Sequence, residues 1–200
     1  MSELVLATAN GGKVRELQAL LAGHDYHVRT QAEFACPEVP ETGLSFVENA
    51  LIKARNAARH CGLPAIADDS GLACDALNGA PGIYSARYAG DHATDTQNLL
   101  YLLQAMKRVP EVARTCRYVC VIAYLAHADD QLPVLAQGIW EGRVTTAPCG
   151  TGGFGYDPIF FVPTDGCTAA ELAASRKEVL SHRGQALREL IARLPRGRDT

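Results

Sequence analysis

Residues 4–13 read LVLATANGGK and are followed by Val14, Leu17, Leu20 and Leu21. Leu4 to Thr8 is a short apolar run suited to a buried strand, and Asn10-Gly11-Gly12 is turn chemistry. The apolar spacing from Lys13 through Leu17, Leu20 and Leu21 is that of a helix. A strand, a glycine turn and a helix start, in that order, predict an α/β fold.

The remainder of the chain extends the pattern. Tyr26 to Thr30 reads as a second strand, followed by a polar, proline-containing loop. Ser45-Phe46-Val47-Glu48 is a capping box that opens a helix to about His60, stopped by Gly62 and Pro64. Ala65 to Ala67 is a short apolar run ending in Asp68-Asp69-Ser70-Gly71, after which Leu72 to Cys74 either resumes a strand or begins a hairpin partner. Asn78 to Gly82 is a turn, Leu99 to Met106 is helical, and Arg117 to Ala126 and Pro133 to Thr145 are two long β segments. Gly150 to Asp157 is a glycine-rich loop. A second capping box, Thr168 with Glu171, predicts a helix beginning at Thr168, and a last helix runs from Ser181 to Leu194. Without repeats or low-complexity linkers, residues 1–200 are expected to form a single α/β domain, with room for two lobes.

The chain's 200 residues, 48% of them hydrophobic, are enough for a sizeable core. With 22 acidic against 19 basic residues there is no broad cationic field for a nucleic-acid polymer or an anionic membrane, although a local basic pocket for a small anion remains compatible. Seven cysteines without a C-x-x-C pair fit neither a disulfide framework nor a zinc knuckle. Cys116 and Cys120 would lie ~13 Å apart on an extended strand, too far to share a metal. No basic n-region, long h-region or bilayer-length apolar run is present, so the expected location is cytoplasmic.

Four segments carry candidate chemistry. Thr8-Ala9-Asn10-Gly11-Gly12-Lys13 places glycines and a lysine at a helix N-terminus, where amide groups and the macrodipole attract phosphate; the alternative is an ordinary turn with a surface lysine. It is not a Walker A loop, because the first glycine is missing and Val14 stands where a hydroxyl should be. Asp68 and Asp69 are adjacent, so on extended backbone they point to opposite sides and one of them faces a site, where a carboxylate can hold Mg²⁺ or take a proton from water. The alternative there is an Asp-Ser-Gly turn. Thr151 to Pro158 sets Phe154, Tyr156 and Asp157 among glycines, offering a stacking face for a base where a plain flexible loop would need none of them. Ser181-His182-Arg183 puts two cationic side chains in the first turn of a helix whose dipole opposes them, with Lys177 just upstream. A bound anion or an acceptor-rich ring edge would compensate; a solvated helix start is the other reading.

Taken together, Thr8 to Lys13, Glu41-Thr42-Gly43 with Phe46 to Lys53, Ala67 to Leu72, Gly79 to Gly90, Gly152 to Phe160 and Ser181 to Leu187 resemble the inosine triphosphate pyrophosphatase family, in its bacterial dITP/XTP pyrophosphatase branch, over nearly the whole chain. Ala9 departs from the glycine or serine usual there. The resemblance implies hydrolysis of dITP, ITP and XTP to the monophosphate and pyrophosphate with Mg²⁺. It also implies a homodimer of elongated, two-lobed α/β subunits, each with a mixed sheet flanked by helices and a nucleotide cleft between the lobes. By the same resemblance Asp69 is proton acceptor and metal ligand, with Glu41 also near the metal. Lys13, Lys53 and Lys177 neutralise the triphosphate, with Ser70 and the Thr8, Ala9, Asn10, Gly11 and Gly12 segment nearby. Phe154 stacks on the base, Gly155 and Tyr156 share its loop, and Asp157, His182 and Arg183 sit at the base edge. Hypoxanthine and xanthine present a 6-keto acceptor where adenine presents a 6-amino donor, so donors on His182 and Arg183 favour the former. The rival readings are a pyrophosphatase for modified pyrimidine triphosphates and a nucleotide sensor without hydrolysis. Asp68, Asp69 and Glu41 favour an enzyme, since binding a triphosphate alone calls for positive charge.

Overall fold

The computed structural model describes residues 2–22, 24 and 26–194. Residues 195–200 of the expected domain lie outside the described residues. The strands are β1 (Ser2–Leu6), β2 (Tyr26–Thr30), β3 (Ala65–Cys74), β4 (Thr115–Leu125), β5 (Val134–Val144), β6 (Phe160–Val162) and β7 (Cys167–Thr168). The helices are α1 (Gly11–Leu21), α2 (Phe46–Cys61), α3 (Asp95–Ala105), α4 (Ala174–Leu180) and α5 (His182–Arg193). The sheet order is β2-β1-β3-β4-β5-β6-β7. β1 pairs in parallel with β2 and β3, whereas β6 pairs antiparallel with β5 and β7, so the sheet is mixed as expected. Two compact units are distinguished: residues up to Asp69 with 120–138 and the segment from Arg183 onward, and Ser70–Val119 with Ile139–His182. No helix among the described residues is long and apolar enough to cross a membrane.

In the first unit, parallel neighbours require crossovers, which α1 and α2 supply. Because successive strand side chains alternate faces, the apolar strands feed two layers at once. Leu4, Leu6, Ile66, Cys120 and Ile122 pack with Leu17 and Leu21 of α1 and with Ala186, Leu187 and Leu190 of α5. Val5, Ala7, Ala65, Ala67, Val121 and Ala123 pack instead with Ala50, Ala54, Ala57 and Ala58, a helical stripe on α2. The same alternation sends Asp68, in phase with Ile66, into the α1/α5 layer and Asp69, in phase with Ala67, into the α2 layer.

β3 is one continuous ten-residue strand, so the Asp68 to Gly71 stretch is strand interior, not the alternative turn. Gly71 serves close approach: a Cβ there would stand 2.2 Å from the Gly82 carbonyl oxygen and 2.5 Å from Ser85 Oγ. That hydroxyl accepts from Leu72 N–H at 2.9 Å and donates to Gly82 O at 2.6 Å.

The second unit is built around Tyr118, Trp140 and Phe160, with Leu99, Leu102 and Met106 from α3 and its C-cap. α3 begins at Asp95, four residues before the expected helix, because Thr94 and Gln97 form a capping box. The helix expected at Thr168 is absent. Glu171 does accept from Thr168 N–H at 2.8 Å, yet the Ala170 carbonyl that a helix would use is taken by Gly152 N–H at 3.0 Å, and Ala170 N–H donates to Asp157 O. The glycine-rich loop thus outcompetes the local signal, and α4 starts at Ala174.

Arg114 is 4% exposed, and its guanidinium donates to the carbonyls of Val144, Met106, Val109 and Thr145. Met106 caps α3, where a cation also complements the helix dipole. Arg114→Met keeps the apolar stem but orphans these buried acceptors, and stability is expected to fall by about 3 kcal/mol or more. Urea unfolding with an unchanged midpoint would contradict this role.

Candidate active site

In the first unit, the α1 N-terminus is capped by Asn10, whose Oδ1 accepts from Gly12 N–H at 2.9 Å and Lys13 N–H at 3.1 Å. Thr8 Oγ1 accepts from Asn10 N–H at 3.3 Å, which fixes the entry across Ala9. Two of the amides expected to meet a phosphate therefore already have a partner, and the Lys13 side chain is the segment's main cationic group. Its Nζ lies 2.9 Å from Asp68 Oδ2. Arg183 Nη2 approaches the same oxygen at 3.4 Å, while Arg183 Nη1 pairs with Glu16 Oε2. Burial alone would raise the Asp68 carboxyl, but Lys13, Arg183 and Lys53 together hold it well below the usual carboxylate range. Burying such charges costs several kcal/mol each; the same layer offsets this with Leu4, Leu6, Leu17, Leu21 and Ile66, at about 2 kcal/mol apiece.

The α2 side holds a second cluster. Lys53 Nζ lies 2.8 Å from Glu41 Oε1 and 3.0 Å from Asp69 Oδ1, so both acids named in the sequence analysis converge on one ammonium. Asn49, fully buried and absent from that set, donates through Nδ2 to Asp69 Oδ2 at 3.3 Å and accepts from Gly43 N–H at 2.8 Å. A helical spacing of four between Asn49 and Lys53 is the signal that could have found it. Burial pushes the Asp69 carboxyl up; Lys53 pulls the other way, and Glu41 adds to the rise. Lys53 keeps its charge: burial opposes it, but Asp68, Asp69 and Glu41 raise its pKa.

In the second unit, the glycine-rich loop closes on Asp157. Its Oδ2 accepts from Phe154 N–H and from Lys177 Nζ, both at 2.8 Å, and its Oδ1 accepts from the Tyr118 hydroxyl at 3.3 Å. Gly153, at φ +72°, admits this arrangement, since a Cβ there would stand 2.0 Å from Asp157 Oδ2. Lys177 lies 5.0 Å from the centroid of the Phe154 ring, and Tyr118 stacks on His182 at 4.5 Å. Burial, reinforced by Asp157, lifts the Tyr118 phenol and keeps it a donor. Phe154, Asp157, Lys177 and His182 are thus brought together, with Tyr118 a member the sequence analysis missed because it reads as an ordinary strand aromatic. Gly155 N–H donates to Asp95 Oδ2 at 2.8 Å, and buried Tyr156 donates its hydroxyl to Ser85 O at 2.8 Å, so these two fasten the loop. Ser70 is half-buried in β3, directly after Asp69.

The Ham1 family model matches residues 4–193. A dITP/XTP pyrophosphatase of Vibrio parahaemolyticus serotype O3:K6 is 57% identical over 194 residues, 97% of this chain and 97% of that protein. The dITP/XTP pyrophosphatase of Escherichia coli strain K12 is 55% identical over 197 residues, 98% of this chain and 100% of its own length. The solved structure of a HAM1 protein from Coxiella burnetii is similar with a TM-score of 0.89 at 48% identity, covering 96% of this chain and 98% of that one. With a family model running from β1 to the end of α5 and identity above one half to full-length relatives, the chain belongs to the Ham1 family.

Proposed function

We infer that this chain hydrolyses deaminated purine nucleoside triphosphates, dITP, ITP and XTP, to the monophosphate and pyrophosphate. The observation that carries the reading is the paired arrangement in the first unit: Lys13 on Asp68 and Lys53 on Glu41 and Asp69. It is joined to near-full-length identity with proteins named for this activity. Ammonium groups meet a triphosphate, and the acids beside them have work only if a cation and a water are present.

The donor set fits magnesium. Glu41 and Asp69 offer carboxylate oxygens that already converge on one cationic nitrogen, and Mg²⁺ is held by one or two carboxylates together with phosphate oxygens and water. When bound, Mg²⁺ would neutralise phosphate charge and polarise the anhydride. Asp69, with Asn49 fixing one oxygen and burial raising its basicity, takes the proton of the attacking water. Lys13 and Lys53 compensate charge on the phosphates. Phe154 stacks on the base; Lys177, expected on the triphosphate, and Asp157, expected at the base edge, pair with each other and are assigned instead to holding that ring and its loop, and His182 and Arg183 donate toward the 6-keto edge. The homodimer and the cytoplasmic location implied by the family resemblance belong to the same proposal.

A panel of nucleoside triphosphates with Mg²⁺, separating pyrophosphate from orthophosphate release, tests this. dITP, ITP and XTP are expected to yield pyrophosphate far faster than ATP, GTP or the pyrimidine triphosphates. Orthophosphate as first product, or equal rates on ATP, would sink the assignment; binding without turnover would make the chain a sensor.

A further inference from the structure

We propose that Asn49 is a positioning residue that ties Asp69 to the loop carrying Glu41 and so sets the spacing of the two carboxylates for a divalent cation. The proposal rests on the reading of Glu41 and Asp69 as the cation pair.

Asn49 is fully buried in the first turn of α2, on a helix whose packed face is otherwise alanine at positions 50, 54, 57 and 58. Asparagine is a poorer helix former than alanine, and a buried amide is costly unless both ends are bonded. Here both ends are. Oδ1 accepts from Gly43 N–H at 2.8 Å, which leaves Nδ2 as the end that meets Asp69 Oδ2 at 3.3 Å. The amide therefore has one orientation consistent with its partners. The contact leaves no slack at the loop: a Cβ on Gly43 would lie 2.5 Å from Glu48 Cβ and 2.7 Å from Asn49 Oδ1. Gly43 is two residues from Glu41, and the other Asp69 oxygen faces Lys53, which also holds Glu41. One side chain thus bears on the backbone that delivers one acid and on the carboxylate of the other. Partners of this kind orient metal-binding carboxylates, and their loss typically costs 10–100-fold in metal affinity or activity.

The test uses Asn49→Ala and Asn49→Asp in the full chain. Mn²⁺ binding followed by EPR without nucleotide is paired with the Mg²⁺ dependence of dITP turnover. Asn49→Ala is expected to weaken Mn²⁺ binding by ~10–100-fold and to raise the Mg²⁺ concentration for half-maximal rate in proportion, with KM for dITP at saturating Mg²⁺ little changed. Asn49→Asp matches the parent in size and keeps an oxygen for Gly43 N–H, but it turns the donor facing Asp69 into an acceptor. Its kcat at saturating Mg²⁺ is expected to fall by ~10-fold or more with the fold intact, so it carries the test if Asn49→Ala does not fold. Folded variants with parental kcat and Mg²⁺ requirement overturn the proposal. So does a rise in KM for dITP with unchanged Mn²⁺ binding, which would make Asn49 a substrate contact. If the parent binds no Mn²⁺ and turns over dITP without a divalent cation, the cation reading falls and this proposal with it. That failure is distinct, because it appears in the parent before any variant is made.

Discussion

Asp69→Asn is expected to lower kcat by about 10²–10⁴-fold, the range for loss of a general base, and further if a metal ligand is lost with it. The substitution preserves volume, and the new side chain can still accept from Lys53 or Asn49, so folding should survive. The sign of the stability change follows from the pKa direction. Burial raises the Asp69 carboxyl above its unfolded value, so the folded state binds that proton more tightly, and stability is lost as pH rises from the unfolded value through the folded pKa. Asp69→Asn at neutral pH should therefore be at least as thermostable as the parent. Asp68 has the opposite signature: its carboxyl is held down by Lys13 and Arg183 against burial, so its contribution is present above about pH 4 and is lost below it. Asp68→Asn should accordingly lower the melting temperature at pH 7. A folded Asp69→Asn protein with near-parental turnover would remove Asp69 as the base and make Asp68 the next candidate.

That two adjacent aspartates do different things was legible from strand alternation alone, since side chains at 68 and 69 must point to opposite faces. The proposal that Asp69 is the base came only from the family resemblance, because alternation says nothing about what waits on each face. The helix signals show why local reading has a limit. Ser45 with Glu48 predicted the start of α2, and Ser45 Oγ does accept from Glu48 N–H at 3.2 Å. At Thr168 the other half of such a box forms, Glu171 Oε2 accepting from Thr168 N–H at 2.8 Å, yet no helix follows, because a loop sixteen to eighteen residues upstream takes the carbonyl that propagation needs. Long-range partners of that kind leave no trace in a local window. The same holds for Tyr118 and Asn49, whose polar ends meet Asp157 and Asp69 at separations of 39 and 20 residues.

Arg183 and Lys13 give the sharpest test of how the base is chosen, because they share one carboxylate oxygen of Asp68 while being proposed to serve opposite ends of the nucleotide. Asp68 and Glu16 hold the Arg183 guanidinium in a fixed plane, and a fixed planar donor suits a keto edge better than a mobile ammonium would. If Arg183 reads that edge, Arg183→Ala should lose ~2–4 kcal/mol of transition-state stabilisation on dITP while the slow ATP rate barely moves, so the ratio of kcat/KM values collapses. Lys13→Ala should depress dITP and ATP by similar factors and leave the ratio nearly intact, since a phosphate contact serves every triphosphate alike. Each single change leaves Asp68 with the other cation, so the two effects are not expected to be additive. Arg183→Lys separates recognition from charge. It keeps a cation for Asp68 and Glu16, and with them the fold, but it loses the planar fork and should still lose the ratio. Equal losses on dITP and ATP for both Arg183 variants would move Arg183 from the base edge to the phosphate set beside Lys13, and would leave His182 as the donor on which 6-keto selection rests.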